Sequence, residues 1–150
     1  MQPTVRGLLI VLVLAASCRE SRPTVTLTPK GGNPVSVVVE VADTPESQMQ
    51  GLMYRTHLDP DQGMIFLFEG ESSHSFWMKN TPLPLDMIFI SKDGRIVGIH
   101  ENAEPFSLKP IDVGAPSHAV LEVNGGFAAA HGLRVGDQAT YRNIASAKLP

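Results

Sequence analysis

Asp86-Met87-Ile88-Phe89-Ile90-Ser91-Lys92-Asp93-Gly94-Arg95-Ile96-Val97-Gly98-Ile99-His100-Glu101 decides the fold class. Two apolar runs flank Ser-Lys-Asp-Gly, and Asp-Gly between such runs is a strong hairpin signal, because glycine adopts positive φ without steric cost. Upstream, Pro82 and Pro84 exclude a central strand from Asn80 to Pro84, so that stretch is a loop. His74-Ser75-Phe76-Trp77-Met78-Lys79 before it reads as a strand. Met64-Ile65-Phe66-Leu67-Phe68 has no polar alternation, which implies cover on both faces. Val35 to Val41 is β-branched and apolar, a further strand. Thr24 to Thr28 can pair with it across Gly31-Gly32-Asn33 as a hairpin.

A helix starts at Thr44, with Thr44 as N-cap, Pro45 at the first helical position and Glu46 in the first turn. Met49, Leu52 and Met53 repeat behind it at helical spacing, and Asp59-Pro60-Asp61-Gln62-Gly63 is a turn. Downstream of the hairpin, a Pro-containing loop from Asn102 to Pro116 leads to a strand from His118 to Val123. Gly125-Gly126 opens a short helix, Phe127 to His131, which Gly132 closes. Asp137 to Arg142 supplies a last strand. About eight strands and two short helices, with no βαβ alternation or repeat, predict a mainly β domain. Its expected form is an antiparallel β-sandwich or partly closed barrel. Twelve Pro and 13 Gly scattered between the apolar runs argue the same way, against a helical bundle.

The N-terminus carries an address. Arg6 precedes the apolar run Leu8 to Ala16, which is far shorter than the roughly 20 residues a bilayer-spanning helix needs. A basic residue, a short apolar stretch and small residues form a secretory signal, here residues 1–17. Leu14-Ala15-Ala16-Ser17-Cys18 resembles a bacterial lipobox, with Ala15 where the pattern usually has Leu. Cys18 is the only cysteine. It is expected to be acylated, by palmitate among other chains, because a lone thiol in an oxidising compartment invites cross-linking. Ordinary signal cleavage leaving Cys18 as a free thiol is the alternative. Arg19 after the cysteine resembles Gram-negative lipoproteins sorted to the outer membrane. Residues 18–34 then form a lipidated tether, 35–143 a single domain and 144–150 a tail.

Arg6 is the only charged residue of 1–17, so the remaining chain carries 11 Lys+Arg against 15 Asp+Glu, a net charge of −4. No basic run is present, and nucleic-acid binding, which needs a clustered basic face, is set aside. His57, His74, His100, His118 and His131 show no H-x-H or HExxH spacing, so a metal or other cofactor is not expected. No G-x-S-x-G occurs, and acylation leaves no thiol nucleophile.

Several segments together resemble the family called domain of unknown function 192. They are Thr44-Pro45-Glu46, Gly51-Leu52-Met53-Tyr54-Arg55, Gly63-Met64-Ile65-Phe66, Phe76-Trp77-Met78-Lys79-Asn80-Thr81, Pro84-Leu85-Asp86 and Leu121-Glu122-Val123-Asn124-Gly125-Gly126. The resemblance spans roughly residues 35–143 and implies a β-sandwich-like domain, often secreted or membrane-attached, with no established reaction.

Three constellations could carry chemistry. Trp77, beside Lys79 and Asn80 at a Pro-rich loop, could be a stacking platform for a sugar or another small ligand; otherwise Trp77 fills core and Asn80 staples its loop. Asp86 and Glu122 sit in apolar surroundings. They could be an acid/base pair of a hydrolase, or each could be neutralised by Arg55 or Lys79 as a structural ion pair. Met49, Met53, Met64, Met78 and Met87 could hold Cu(I) through thioethers, or fill core. The expectation is a module that binds a small molecule or an envelope protein rather than an enzyme. Its site is Trp77, Asn80, Asp86 and Glu122, with Arg55 and Lys79 as charge partners.

Overall fold

The computed structural model describes residues 22–146, 148 and 149. The expected signal sequence and Cys18 lie outside the described residues. Seven strands form one sheet: β1 (Thr24–Thr28), β2 (Val35–Ala42), β3 (Gln62–Ser72), β4 (Leu85–Ile90), β5 (Ile96–Ala103), β6 (Ser117–Asn124) and β7 (Gln138–Arg142). Two short helices, α1 (Pro45–Gln50) and α2 (Phe127–Ala130), complete the fold. The strand order is β5-β4-β6-β3-β2-β1-β7. The ends of that order meet at one corner, where Arg95 bridges Gln138 and the Ala139 N–H donates to the Gly94 carbonyl. The sheet is therefore curled into a half-barrel, the partly closed form of the expected β fold.

Both expected hairpins form. β4 and β5 pair across Gly94, which has φ +81°, and β1 pairs with β2 from Thr24–Val38 to Leu27–Val35. The second pairing moves the domain boundary. Val25 and Leu27 are fully buried, so Thr24–Thr28 belongs to the core and not to the expected tether of residues 18–34. Three of the described C-terminal residues are likewise not free, because Ile144 and Leu149 pack on the core and Lys148 Nζ donates to the Asp43 carbonyl.

Two further expectations are corrected. The sheet is mixed rather than antiparallel, because β2 and β3 run parallel, joined by a crossover that carries α1. A parallel neighbour requires such a crossover, so β2-α1-β3 is a βαβ unit. Residues 74–79 form no ladder either; Phe76 makes one bridge, to Ile111. The alternation expected of a strand survives, with Met78 buried and Ser75, Trp77 and Lys79 exposed.

Strand alternation splits the core in two. Val37, Val39, Ile65, Leu67, Ile88, Ile90, Leu121 and Val123 point to one side, where residues of all seven strands meet and Phe127 and Leu133 close the end. This is the barrel interior. The opposite faces of β3, β4 and β6 bear Met64, Phe66, Leu85, Met87, Phe89 and Val120, which pack under Leu52, Leu58, Met78 and Ile111 from the loops. β4 is consequently buried along its whole length. Close packing leaves no room at Gly63, where a Cβ would lie 2.4 Å from the Glu122 carbonyl oxygen.

Candidate functional site

The outer face of the sheet carries a cleft of about 300 Å³. Its floor comes from β3 and β6, through Phe66, Phe68 and Glu122. One wall is the α1 turn, Gln48 to Met53, and the other is the extended segment His74 to Trp77. Helix α1 is short and buries no residue of its own. It is held by a capping box in which Thr44 and Ser47 exchange side chain-to-backbone hydrogen bonds. The Gln48 amide pins it to the sheet by donating to the Leu67 carbonyl at 2.7 Å. The expected Met49-Leu52-Met53 face is broken as a result. The helix stops at Gln50, Leu52 turns into the core, and Met49 is left exposed at the cleft mouth.

Glu122 is the notable group. It projects from β6 between Met64 of β3 and Met87 of β4 and is 5% exposed. Desolvation alone pushes its carboxyl up to about 8, so at neutral pH it is mostly a neutral acid. No cation approaches it among the described residues. His74 is the other titratable group lining the cleft. Its ring stacks on Phe68 at 3.6 Å between centroids. Burial lowers its pKa, with a backbone hydrogen bond to Ser117 opposing and the nearby His118 adding a smaller decrease.

Trp77 stands at the rim, 48% exposed. Its neighbour Phe76 turns inward and meets the edges or faces of Phe66 and Phe89 at 5.1 and 5.9 Å, near perpendicular. These T-shaped contacts anchor the segment that presents Trp77. The Lys79 ammonium lies 5.1 Å from the centre of the Trp77 ring, a cation–π contact. Trp77 is thus neither core filler nor isolated.

The other predicted site residues lie elsewhere. Asp86 is fully buried, but it pairs with Val123 and therefore points into the barrel interior, opposite to Glu122. Its carboxylate accepts three backbone N–H groups, from Asn102 and Gly126 at 2.8 and 3.0 Å and from Ala128 at 2.8 Å. It fastens β5 and α2 to the end of β4, with no Arg55 or Lys79 involved. The acid/base pair is consequently not formed, and neither is either expected ion pair. Arg55 instead makes a two-pronged contact with Glu40 at 2.5 and 2.6 Å on the surface, and this hydrogen bonding lowers the Glu40 pKa. Exposed pairs of this kind contribute about 1 kcal/mol or less. Asn80, at φ +54°, staples two loops: its amide donates to the Tyr54 hydroxyl at 2.8 Å, and the Tyr54 N–H donates to its carbonyl at 2.7 Å. The methionines divide as well, with Met64, Met78 and Met87 buried in the outer core and Met49 74% exposed. Of the six residues, the structure brings Trp77 and Glu122 to one cleft.

The family model called DUF192, described as an uncharacterized ACR, matches residues 25–141. The chain belongs to this family. A search of curated proteins finds no match. Among solved structures, the chain is similar to a protein of Sinorhizobium meliloti described as a candidate transcription regulator. They share 44% identity over 79% of this chain and 92% of that one, with a TM-score of 0.77. It is also similar to a protein of unknown function from Novosphingobium aromaticivorans, at 40% identity over 78% and 83% of the two chains and a TM-score of 0.75.

The DUF192 match starts at Val25, in agreement with the placement of β1 in the core. In this DUF192 chain the segments that carried the resemblance converge on the cleft and its supports: Gly51 to Met53 form a wall, Phe76-Trp77 the other, and Glu122 the floor. Sequence reasoning missed Phe66, Phe68, His74 and Thr81, which line the same cleft. His74 and Phe76 share the strand-like parity that turns them inward, and that parity was a readable signal.

Proposed function

We propose that this protein is an exported, lipid-anchored module of the cell envelope that binds a small organic molecule in the cleft beneath Trp77. The observation that carries the reading is a half-exposed tryptophan over an aromatic-walled cleft, with a buried carboxyl at its floor that has no partner among the described residues. Ligand sites are characteristically concave and mostly apolar, with a few polar groups that fix orientation. The Asp86 carboxylate is consumed by backbone hydrogen bonds on the far side of the sheet, which removes the basis for a two-carboxylate hydrolase. The description of one structural neighbour as a regulator of transcription finds no counterpart in this chain's chemistry. Its charge is net negative, and the helices among the described residues have six and four residues. A major-groove reader normally inserts a helix or ribbon amid basic side chains.

A thermal-shift screen of envelope glycans and small metabolites tests the binding reading. Trp77→Ala is expected to keep its fold, because the ring is half exposed, and to lose at least tenfold in affinity for any hit, the share a stacking aromatic typically contributes. A folded variant with full affinity would remove Trp77 from the site.

The anchor rests on Leu14-Ala15-Ala16-Ser17-Cys18. Two or three acyl chains hold a protein on a bilayer durably, at about 0.8 kcal/mol per buried methylene. Cys18→Ser is expected to abolish incorporation of a labelled palmitate analogue and to release the protein from the membrane fraction. Unchanged labelling in that variant would refute lipidation at Cys18.

A further inference from the structure

We propose that the cleft takes an organic cation, an amine with an apolar body, whose charged head seats on Glu122 and whose body lies between Phe66, Phe76 and Trp77. This assignment rests on the cleft being a ligand site.

A carboxyl 95% removed from solvent is normally matched by a cation or by several hydrogen bonds, because an unmatched one costs several kcal/mol to ionise. Asp86 shows how this chain matches such a group, with three backbone donors. Glu122 has neither kind of partner among the described residues, and it lines the open cleft rather than a closed void.

The elements packed against it supply no cation. β3 and β4 present Met64 and Met87, and the α1 turn presents Gln48, Leu52 and Met53. From the second wall comes His74, whose pKa burial lowers, against its carrying a charge. His118, four residues back on β6 and on the same face, bonds the Lys148 carbonyl through Nε2 and adds no charge effect to Glu122, which burial alone shifts. Arg55 is engaged by Glu40, and Lys79 lies on Trp77. Among the described residues no cation is left to pair with the ionised form of Glu122, and a bound guest can supply one.

The walls suit such a guest. Aromatic faces carry a negative quadrupole that attracts ammonium groups, and the contact of Lys79 with Trp77 shows this ring already doing so. A volume of about 300 Å³ accommodates a primary amine bearing one ring or a short chain. A neutral guest would gain a single hydrogen bond from the protonated acid, and an anionic guest would be repelled on any ionisation of it.

The assignment has a proton signature. Burial holds the carboxyl up to about 8, so at neutral pH a bound ammonium must displace its proton. The O–H bond of Glu122 breaks, the proton passes to buffer, and the carboxylate pairs with the cation. Affinity then rises nearly tenfold per pH unit below about 8 and levels off above it.

Calorimetric titration of the full chain with phenethylamine, phenethyl alcohol and phenylacetate tests this, in two buffers of different ionisation enthalpy. Expected are binding of the amine at least tenfold tighter than the other two, and release of close to one proton near neutral pH. Glu122→Gln is expected to erase the preference for the amine while leaving the weak binding of the alcohol. Equal or tighter binding of the alcohol or the acid overturns the cation assignment and leaves the cleft as a ligand site, as does amine binding with no proton exchange. No binding of any of the three at millimolar concentration also overturns the assignment, and the Trp77→Ala screen then decides separately whether the cleft binds anything.

Discussion

Asp86→Ala is expected to lower the stability of the domain by about 3–5 kcal/mol, the range for removing one partner of a buried, charged hydrogen-bond cluster. The carboxylate is fully buried, and its three donors belong to Asn102, Gly126 and Ala128. Truncation strands all three N–H groups at once, and that of Ala128 lies where water cannot replace the lost oxygen. It also unfastens the end of β5 from α2, so the barrel end that Phe127 closes loses its hold. For a domain of this size the melting temperature should fall by roughly 10 °C or more. Asp86→Asn keeps the shape and one acceptor oxygen but turns an NH2 group toward a donor, so an intermediate loss of about 1–3 kcal/mol is expected. Urea unfolding of the three proteins checks this. A loss under 1 kcal/mol in the alanine variant would mean that Asp86 is not the fastening point, and would reopen a chemical role for it.

The two carboxylates show how far sequence carries an argument. Each was readable as buried, because Asp86 lies between Leu85 and Met87-Ile88 and Glu122 between Leu121 and Val123. Which face each occupies depends on the register of β4 against β6, where Asp86 pairs with Val123 and Met87 with Glu122. That register is a pairing between strands distant in sequence, and a shift of one residue would have put both carboxylates on one face. No local pattern determines it. The hairpin of β4 and β5, in contrast, is settled by the chemistry of its own turn, and the sequence sufficed.

The same distinction explains the two errors of fold. The parallel pairing of β2 with β3 is non-local, and α1 is too short and too exposed to announce a crossover helix through periodicity. Residues 74–79 have strand-like parity because an extended chain packs one side of itself on the outer core, with or without a ladder. Parity reports burial, and it therefore separated Phe76 from Trp77 while misjudging their hydrogen bonding. The ion-pair expectation failed for a further reason: counting nearby charges along the chain takes no account of backbone N–H groups, which serve Asp86 at less cost in side-chain entropy than an arginine would.

The second large effect concerns pH. Glu122 has its carboxyl raised from the ordinary 4.5 to about 8 in the folded chain, while in the unfolded chain it titrates near the ordinary value. Between those two values the folded state holds a proton that the unfolded state has lost. Stability must then decrease as pH rises, by up to about 1.4 kcal/mol per pH unit. The contribution is fully present below about 4.5, is lost progressively across the window, and is gone above about 8. Over the whole window the loss attributable to this one group is on the order of 3–5 kcal/mol. His74 works in the opposite sense, because its lowered pKa makes the unfolded state take up a proton first, so it destabilises the fold at acid pH. The two slopes overlap, and the parent's profile alone would not separate them. The difference between the parent and Glu122→Gln does, because glutamine keeps the shape and removes a single titration. The variant is expected to gain on the parent steadily between about pH 4.5 and 8, with the gap largest and constant above that. Urea midpoints measured at several pH values check this. Parallel profiles for the two proteins would show that Glu122 ionises freely in the fold, and that the floor of the cleft is wetter than its burial implies.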